Sequence, residues 1–201
     1  FFGVGTIYAV KAGLSVSETA LLMTLFIGFG AASQLPLGWF SDKIDRRKVI
    51  LFCCASVISI CTILSSFDFT STNLLVLSAL VGAFTLPLYS LGVAQANDRL
   101  EPKQMISASG TIVLVYSVFA VLGPFTLSYF LELFEMFGFM IYMGIVHLVI
   151  AVTVLMMMMI TDNVDESEQT DFQIMGQRPS EVAMEVNAEE ALESQLDQGA
   201  T

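Results

Sequence analysis

The stretch Gln34-Leu-Pro-Leu-Gly38-Trp-Phe-Ser-Asp42-Lys-Ile-Asp-Arg46-Arg-Lys48 places a short charged loop between two apolar runs. This charged loop, residues 41–48, holds four of the eight basic residues of the chain. Proteins inserted into membranes keep Lys and Arg on the cytoplasmic side of the bilayer. The sequence therefore predicts that the charged loop lies in the cytoplasm and sets the direction of every other crossing.

The composition is typical of a chain whose solvent is lipid. Hydrophobic residues make up 55% and charged residues 13% of the 201 residues, and the mean hydropathy is +0.76. So few charged residues could hardly cover a surface that faces water. The composition predicts an all-α membrane protein, because a lipid-facing helix satisfies its own backbone polar groups.

The acidic net charge of −11 is concentrated at one end of the chain. Residues 1–160 hold seven Lys or Arg and eight Asp or Glu, whereas residues 161–201 hold eleven acidic residues and a single basic one, Arg178. A segment so polar and so charged cannot bury enough apolar area to order itself. We predict two regions: a transmembrane domain, residues 1–160, and a disordered acidic tail, residues 161–201.

Hydropathy predicts six spans, of which the first is partial, because a spanning helix needs roughly 20 apolar residues. The predicted spans are residues 1–10, 18–40, 49–67, 73–95, 104–131 and 137–160. With the charged loop inside, six of the seven Lys and Arg in the transmembrane domain fall on the cytoplasmic side, and Lys11 is the exception. The same alternation places the acidic tail in the cytoplasm. Because residues 1–10 cross only half a bilayer, we expect the sequence to be a fragment of a longer protein.

The charged loop has a recognisable pattern: Gly38, then Asp42 four positions on, then Arg46, Arg47 and Lys48. This pattern resembles the signature loop of the major facilitator superfamily (MFS), in which a small residue usually stands where this chain has Asp45. The stretch from Gly82 through Pro87, Tyr89 and Ser90 to Ala96-Asn97-Asp98, with Gly123-Pro124 in the next span, is similar to the second half of the bacterial YcaD-like branch. The resemblance covers residues 1 to about 160.

The resemblance implies an architecture and a function. In that superfamily two six-helix halves pack around a central cavity, and each half consists of two inverted three-helix repeats. The chain is then the C-terminal half, and its implied partners are the lipid bilayer, the missing N-terminal half and a small-molecule solute. The implied activity is secondary active transport by alternating access across a bacterial inner membrane.

The gating loop that the resemblance implies consists of Gly38, Asp42, Arg46 and Arg47. In the family, the acidic residue contacts the start of a helix in the opposite half and helps to hold the outward-open state. From the residues alone, the basic side chains are placed to satisfy carbonyls at the end of the preceding helix, and Asp42 is placed to cap the next helix or face another helix's N-terminus. The alternative is that the four cations only enforce topology.

Polar side chains within apolar spans are the candidates for a solute cavity. These candidates are Tyr8, Gln34, Thr85, Tyr89 and Tyr116. The alternative for the tyrosines is aromatic packing or a position at the membrane interface. His147 lies on one face with Gly144 and Ala151, which favours a structural histidine that contacts a neighbouring helix.

Small residues and prolines predict where helices pack and bend. Ala20, Thr24, Gly28, Ala32 and Pro36 follow one another at four-residue spacing, and this small-residue stripe would let another helix approach closely. Pro36, Pro87 and the pair Gly123-Pro124 are expected to bend their helices.

No catalytic or metal-binding set is apparent, so the sequence predicts a protein that is not an enzyme and needs no cofactor. Cys53, Cys54 and Cys61 lie within a span, and a single His without a carboxylate cluster cannot hold a metal. No nucleic-acid partner is expected. The competing hypothesis is a membrane scaffold or sensor whose helices only anchor the acidic tail as a docking segment.

Overall fold

The computed structural model describes residues 5–66 and 70–162, together with Val164, Gln169, Phe172 and Ile174. Apart from these, the predicted acidic tail lies outside the described residues. The described chain is helical without strands, as the sequence predicts. Its helices are α1 Gly5–Lys11, α2 Val16–Ser41, α3 Arg46–Leu64, α4 Ser71–Thr85, α5 Pro87–Asn97, α6 Pro102–Phe134 and α7 Gly138–Ile160, with a 3-10 turn Glu135–Phe137 before α7.

Four helical segments of the described chain are long and apolar enough to cross a membrane. They are Val16–Ser41, Ser71–Asn97, Ala108–Phe134 and Gly138–Ile160. Helix α3 is shorter, with 19 residues, and it begins with the cations Arg46, Arg47 and Lys48. The chain is therefore a multi-pass membrane protein.

Helices α2 and α4 pack closely because glycines remove side chains from their interface. A Cβ atom at Gly82 would overlap the main chain of Phe26, so α4 lies directly against the α2 backbone. Two serine hydroxyls also cross this interface: Ser78 Oγ donates to the Leu22 carbonyl at 2.6 Å, and Ser33 Oγ donates to the Ala83 carbonyl at 2.5 Å. Small residues and interhelical hydrogen bonds are the usual basis of helix association in lipid.

Helix α3 packs mainly against α7, next to the charged loop. The buried cluster here consists of Val49, Ile50, Cys53, Cys54, Leu91 and Val154. Cys53, Cys54 and Cys61 are all buried and carry free thiols. This buried apolar cluster lies next to the charged loop, at the start of α3.

The span that contains α4 and α5 is interrupted at Leu86. Helix α4 ends at Thr85 and α5 begins at Pro87, so the interruption falls where the sequence predicts a bend. Proline has no N–H to donate to the preceding turn. Pro36 and Pro124, in contrast, lie inside the continuous helices α2 and α6.

Two faces of the helices have no neighbour within the described chain. All five members of the small-residue stripe on α2 are exposed, because α2 contacts α4 through a different face that includes Leu22, Phe26 and Gly30. Helix α6 packs mainly against α7 and is otherwise exposed along most of its length. Its exposed apolar side chains include Leu114, Val118, Phe119, Val121, Phe125 and Tyr129.

Candidate functional site: the charged loop and the polar span residues

The charged loop is a tight connection between α2 and α3. Helix α2 ends with Asp42 as its C-cap residue, whose N–H donates to the Gly38 carbonyl at 3.1 Å. Helix α3 begins at Arg46, and its N-cap residue is Asp45, whose carboxylate accepts from the Arg47 N–H at 3.0 Å. The cap that was expected from Asp42 is thus provided by Asp45, because Asp45 directly precedes the first helical residue. Asp42 contacts Arg46 instead.

Arg46 is the centre of the loop. Its guanidinium is fully buried and lies between two carboxylates, with Nη2 3.1 Å from Asp42 Oδ1 and Nε 2.9 Å from Asp98 Oδ2. Asp98 is the C-cap residue of α5 and is also buried, with 2% of its side chain exposed. A buried charge is tolerated when it is paired. Because Asp98 caps α5 and pairs with Arg46, this ion pair connects the charged loop to the end of α5.

Asp98 was not among the predicted site residues. Its distance from Arg46 along the sequence is large, and although Ala96-Asn97-Asp98 belongs to the stretch that is similar to the YcaD-like branch, that resemblance assigned no partner to Asp98. A hint was available in its position, because Asp98 and the charged loop are predicted to lie on the same side of the membrane.

Arg47 makes a second ion pair, with Asp45. Its Nε and Nη2 lie 3.0 and 2.9 Å from the two oxygens of that carboxylate, and Nη1 donates to the Thr161 carbonyl at 2.7 Å. Burial raises the pKa of Asp45, but the hydrogen bonds and the charge of Arg47 outweigh it, so that the pKa lies below its usual value. Asp45 is therefore ionised at neutral pH and holds the Arg47 side chain over the end of α7.

The four cations of the loop thus have different environments. Arg46 and Arg47 are buried and paired, whereas Lys43 and Lys48 are exposed. The Lys43 ammonium lies 3.6 Å from the ring centroid of Trp39, within the range of a cation–π contact. The buried pair makes specific contacts that a signal for membrane orientation does not require.

Two of the cavity candidates lie together. The rings of Tyr89 on α5 and Tyr116 on α6 are in edge contact, with their centroids 5.7 Å apart. The Tyr89 hydroxyl and the Gln34 carboxamide oxygen are shielded from solvent and have no hydrogen-bond partner among the described residues. Shielded polar atoms without a partner are uncommon in folded proteins, and Tyr89 and Gln34 therefore stay predicted candidates for contact with a solute or water.

The other two candidates contact residues inside the helix bundle. Tyr8 is 3% exposed and stacks on Phe139 of α7, with ring centroids 4.9 Å apart. Thr85 Oγ1 lies 3.2 Å from Nε2 of His147, whose Nδ1 is 2.8 Å from the Met143 carbonyl. A carbonyl only accepts, so Nδ1 carries a proton, and in the neutral ring Nε2 accepts a hydrogen bond from the Thr85 hydroxyl. His147 therefore connects α7 to the last residue of α4, beside the interruption at Leu86.

Comparison with known proteins identifies the family of this chain. A family model of the Major Facilitator Superfamily matches residues 1–186. The chain is 26% identical over 132 residues to the uncharacterized MFS-type transporter YfkF of Bacillus subtilis, a match that covers 64% of this chain and 33% of the relative. It is also 26% identical over 124 residues to the uncharacterized MFS-type transporter YcaD of Escherichia coli, covering 61% of this chain and 31% of the relative.

The chain spans about a third of the length of the curated relatives that it matches. No solved structure gives a significant match. The predicted membership of the superfamily is confirmed, since the family model covers all described helices. This chain belongs to the Major Facilitator Superfamily.

Proposed function

We propose that this chain is one six-helix half of a secondary transporter that moves a small solute across a bacterial inner membrane by alternating access. The observation that carries the proposal is the buried Arg46 held between Asp42 and Asp98 in the family's signature loop. The family and the transporter names of the curated relatives also support a role in transport. An orientation signal alone would need cations, but it would not need a buried one with two carboxylates.

The exposed faces support a second half as the partner. The small-residue stripe on α2 and most of α6 have no neighbour among the described residues, although the stripe is suited to close helix packing. A second six-helix unit would cover both faces and would complete a cavity at Tyr89 and Tyr116. In this arrangement the charged loop and the acidic tail lie in the cytoplasm.

Within the ion pairs, Asp42 is the member that a partner can reach. Its side chain is 33% exposed, whereas Arg46 is completely buried and Asp98 almost so. We propose that Asp42 contacts a helix N-terminus of the opposite half and stabilises the outward-open state, in the way that the family resemblance implies. Arg46 then holds the carboxylate in position.

Alternating access predicts that Tyr116→Cys in the complete transporter can be labelled from both sides of the membrane. A residue at the cavity should react with an impermeant methanethiosulfonate reagent from the outside and, in inverted membrane vesicles, from the cytoplasmic side. The three cysteines of this chain are buried, so their own background labelling should be low, and the parent without Tyr116→Cys gives the background of the complete protein. The matched control is Tyr129→Cys, since Tyr129 is exposed on a different face of the same helix. Reaction of Tyr116→Cys from neither side, or from one side only, would contradict alternating access.

Asp42→Asn should change the ratio of outside to inside labelling of Tyr116→Cys. A carboxylate at a helix N-terminus contributes about 0.3–2 kcal/mol, so the ratio is expected to fall by roughly two-fold to thirty-fold while abundance stays near normal. The Lys48→Ala variant serves as the control, because it removes a charge from the same loop at an exposed position. An unchanged ratio in Asp42→Asn would contradict the contact with the opposite half and would favour a loop that only sets the orientation of the protein in the membrane.

A further inference from the structure

Residues that follow α7 contact the charged loop and the end of α5. The Thr161 carbonyl accepts from Arg47 Nη1 at 2.7 Å, and the Asp162 carbonyl accepts from Arg99 Nη2 at 3.0 Å. Both contacts use main-chain oxygens, and both arginines lie at the same end of the bundle. They place the two residues that follow α7 beside the charged loop and the end of α5.

Phe172 reaches the centre of this surface. Its N–H donates to Asp42 Oδ1 at 3.1 Å, the same oxygen that pairs with Arg46. Its ring lies over Gly38, where a Cβ atom would overlap it, and it also contacts the apolar cluster beneath the loop. The absence of a side chain at Gly38 is what makes room for the aromatic ring.

We propose that Thr161, Asp162 and Phe172 form a strap, that Gly38 is the seat of the Phe172 ring, and that the strap competes with the opposite half for Asp42. This proposal rests on the proposed function in one respect, the contact between Asp42 and the opposite half. The Phe172 N–H occupies Oδ1 of the carboxylate on which that contact depends, although the Asp42 side chain keeps 33% of its surface exposed. The seated strap and the outward-open contact therefore compete for this carboxylate, and the strap opposes the outward-open state.

The seat can be tested by a disulfide. The Phe172 Cγ lies 2.8 Å from the position of a Cβ at residue 38, so the two Cβ atoms are at most roughly 4.3 Å apart, within the range of a disulfide. In the complete protein, oxidation of Gly38→Cys/Phe172→Cys should remove two thiols, counted by maleimide mass-tagging after SDS denaturation. The matched control is Gly144→Cys/Phe172→Cys, because Gly144 has open space around it and lies roughly 24 Å from the end of α7.

The competition can be tested by labelling Tyr116→Cys. Phe172→Ala removes the ring, and Gly38→Ala fills its seat, so each should raise the ratio of outside to inside labelling, opposite to the effect of Asp42→Asn. The expected change is roughly two-fold to thirty-fold, because it cannot exceed the free energy of the Asp42 contact. Gly144→Ala, which adds a methyl group in open space, should leave the ratio unchanged.

The outcomes separate the two proposals. Disulfide formation no greater than in the Gly144→Cys control would overturn the seat, whatever the labelling shows. If the disulfide forms but Phe172→Ala leaves the ratio unchanged or lowers it, the competition is wrong. If Tyr116→Cys reacts from one side only, alternating access fails, and the disulfide still reports whether Phe172 occupies its seat.

Discussion

Arg46→Ala is expected to destabilise the folded protein by about 3–5 kcal/mol, which is typical of removing one partner from a buried ion pair. The variant leaves the Asp98 carboxylate buried without the guanidinium that lies 2.9 Å away. It also removes the connection between the charged loop and the end of α5. The free energy of unfolding of the purified protein, measured by chemical denaturation in detergent, is the appropriate readout.

Lys48→Ala is the matched control for Arg46→Ala. It removes the same charge from the same loop, but Lys48 is exposed, so a change of less than about 1 kcal/mol is expected. The double variant Arg46→Met/Asp98→Leu should recover much of the loss, because an apolar pair of similar volume can replace a buried ion pair. Equal destabilisation by Arg46→Ala and Lys48→Ala would show that burial of the guanidinium is unimportant.

Gly82→Ala is expected to be the second severe change. The added Cβ would overlap the main chain of Phe26, and a main chain in the middle of α2 cannot move without disturbing the whole interface with α4. Overpacking costs about 1–3 kcal/mol where side chains can adjust, and a contact with backbone should reach or exceed the upper end. Thermal unfolding in detergent should show a lowered midpoint, together with a reduced yield of folded protein.

Gly92→Ala controls for the effect of alanine on the helix. Gly92 lies in α5 with no heavy atom within 4 Å of an added Cβ, so the variant should be neutral or more stable by up to about 1 kcal/mol. Because Gly82→Ala gains the same helix propensity, the difference between the variants measures the overlap with α2. Similar stability of the two variants would contradict the close approach of α2 and α4.

The sequence was sufficient for the all-α membrane class and for the superfamily. Both depend on local properties: long apolar runs, and the glycine, acidic residue and basic cluster of the charged loop. The partners of the loop could not be read in the same way. Asp98 pairs with Arg46 only because α5 ends beside the start of α3, and the Phe172 N–H reaches Asp42 from 130 residues further along the chain.

The polar span residues show a related limit. Thr85 and His147 stand in different helices, and hydropathy gave no reason to pair them, although His147 was expected to contact a neighbouring helix. The glycine at position 82 was visible in the sequence, but the main chain against it was not. Interfaces between helices depend on which faces meet, and an almost uniformly apolar helix does not reveal its faces by periodicity.

The contact between Lys43 and Trp39 gives the charged loop an optical property. Trp39 is the single tryptophan of the chain, adjoins Gly38, and has an ammonium group 3.6 Å from its ring centroid. The emission of an indole responds to a nearby charge and to the polarity around its half-exposed ring. The chain therefore carries its own fluorophore one residue from the seat of Phe172, and rearrangements there can be followed in real time in unlabelled protein.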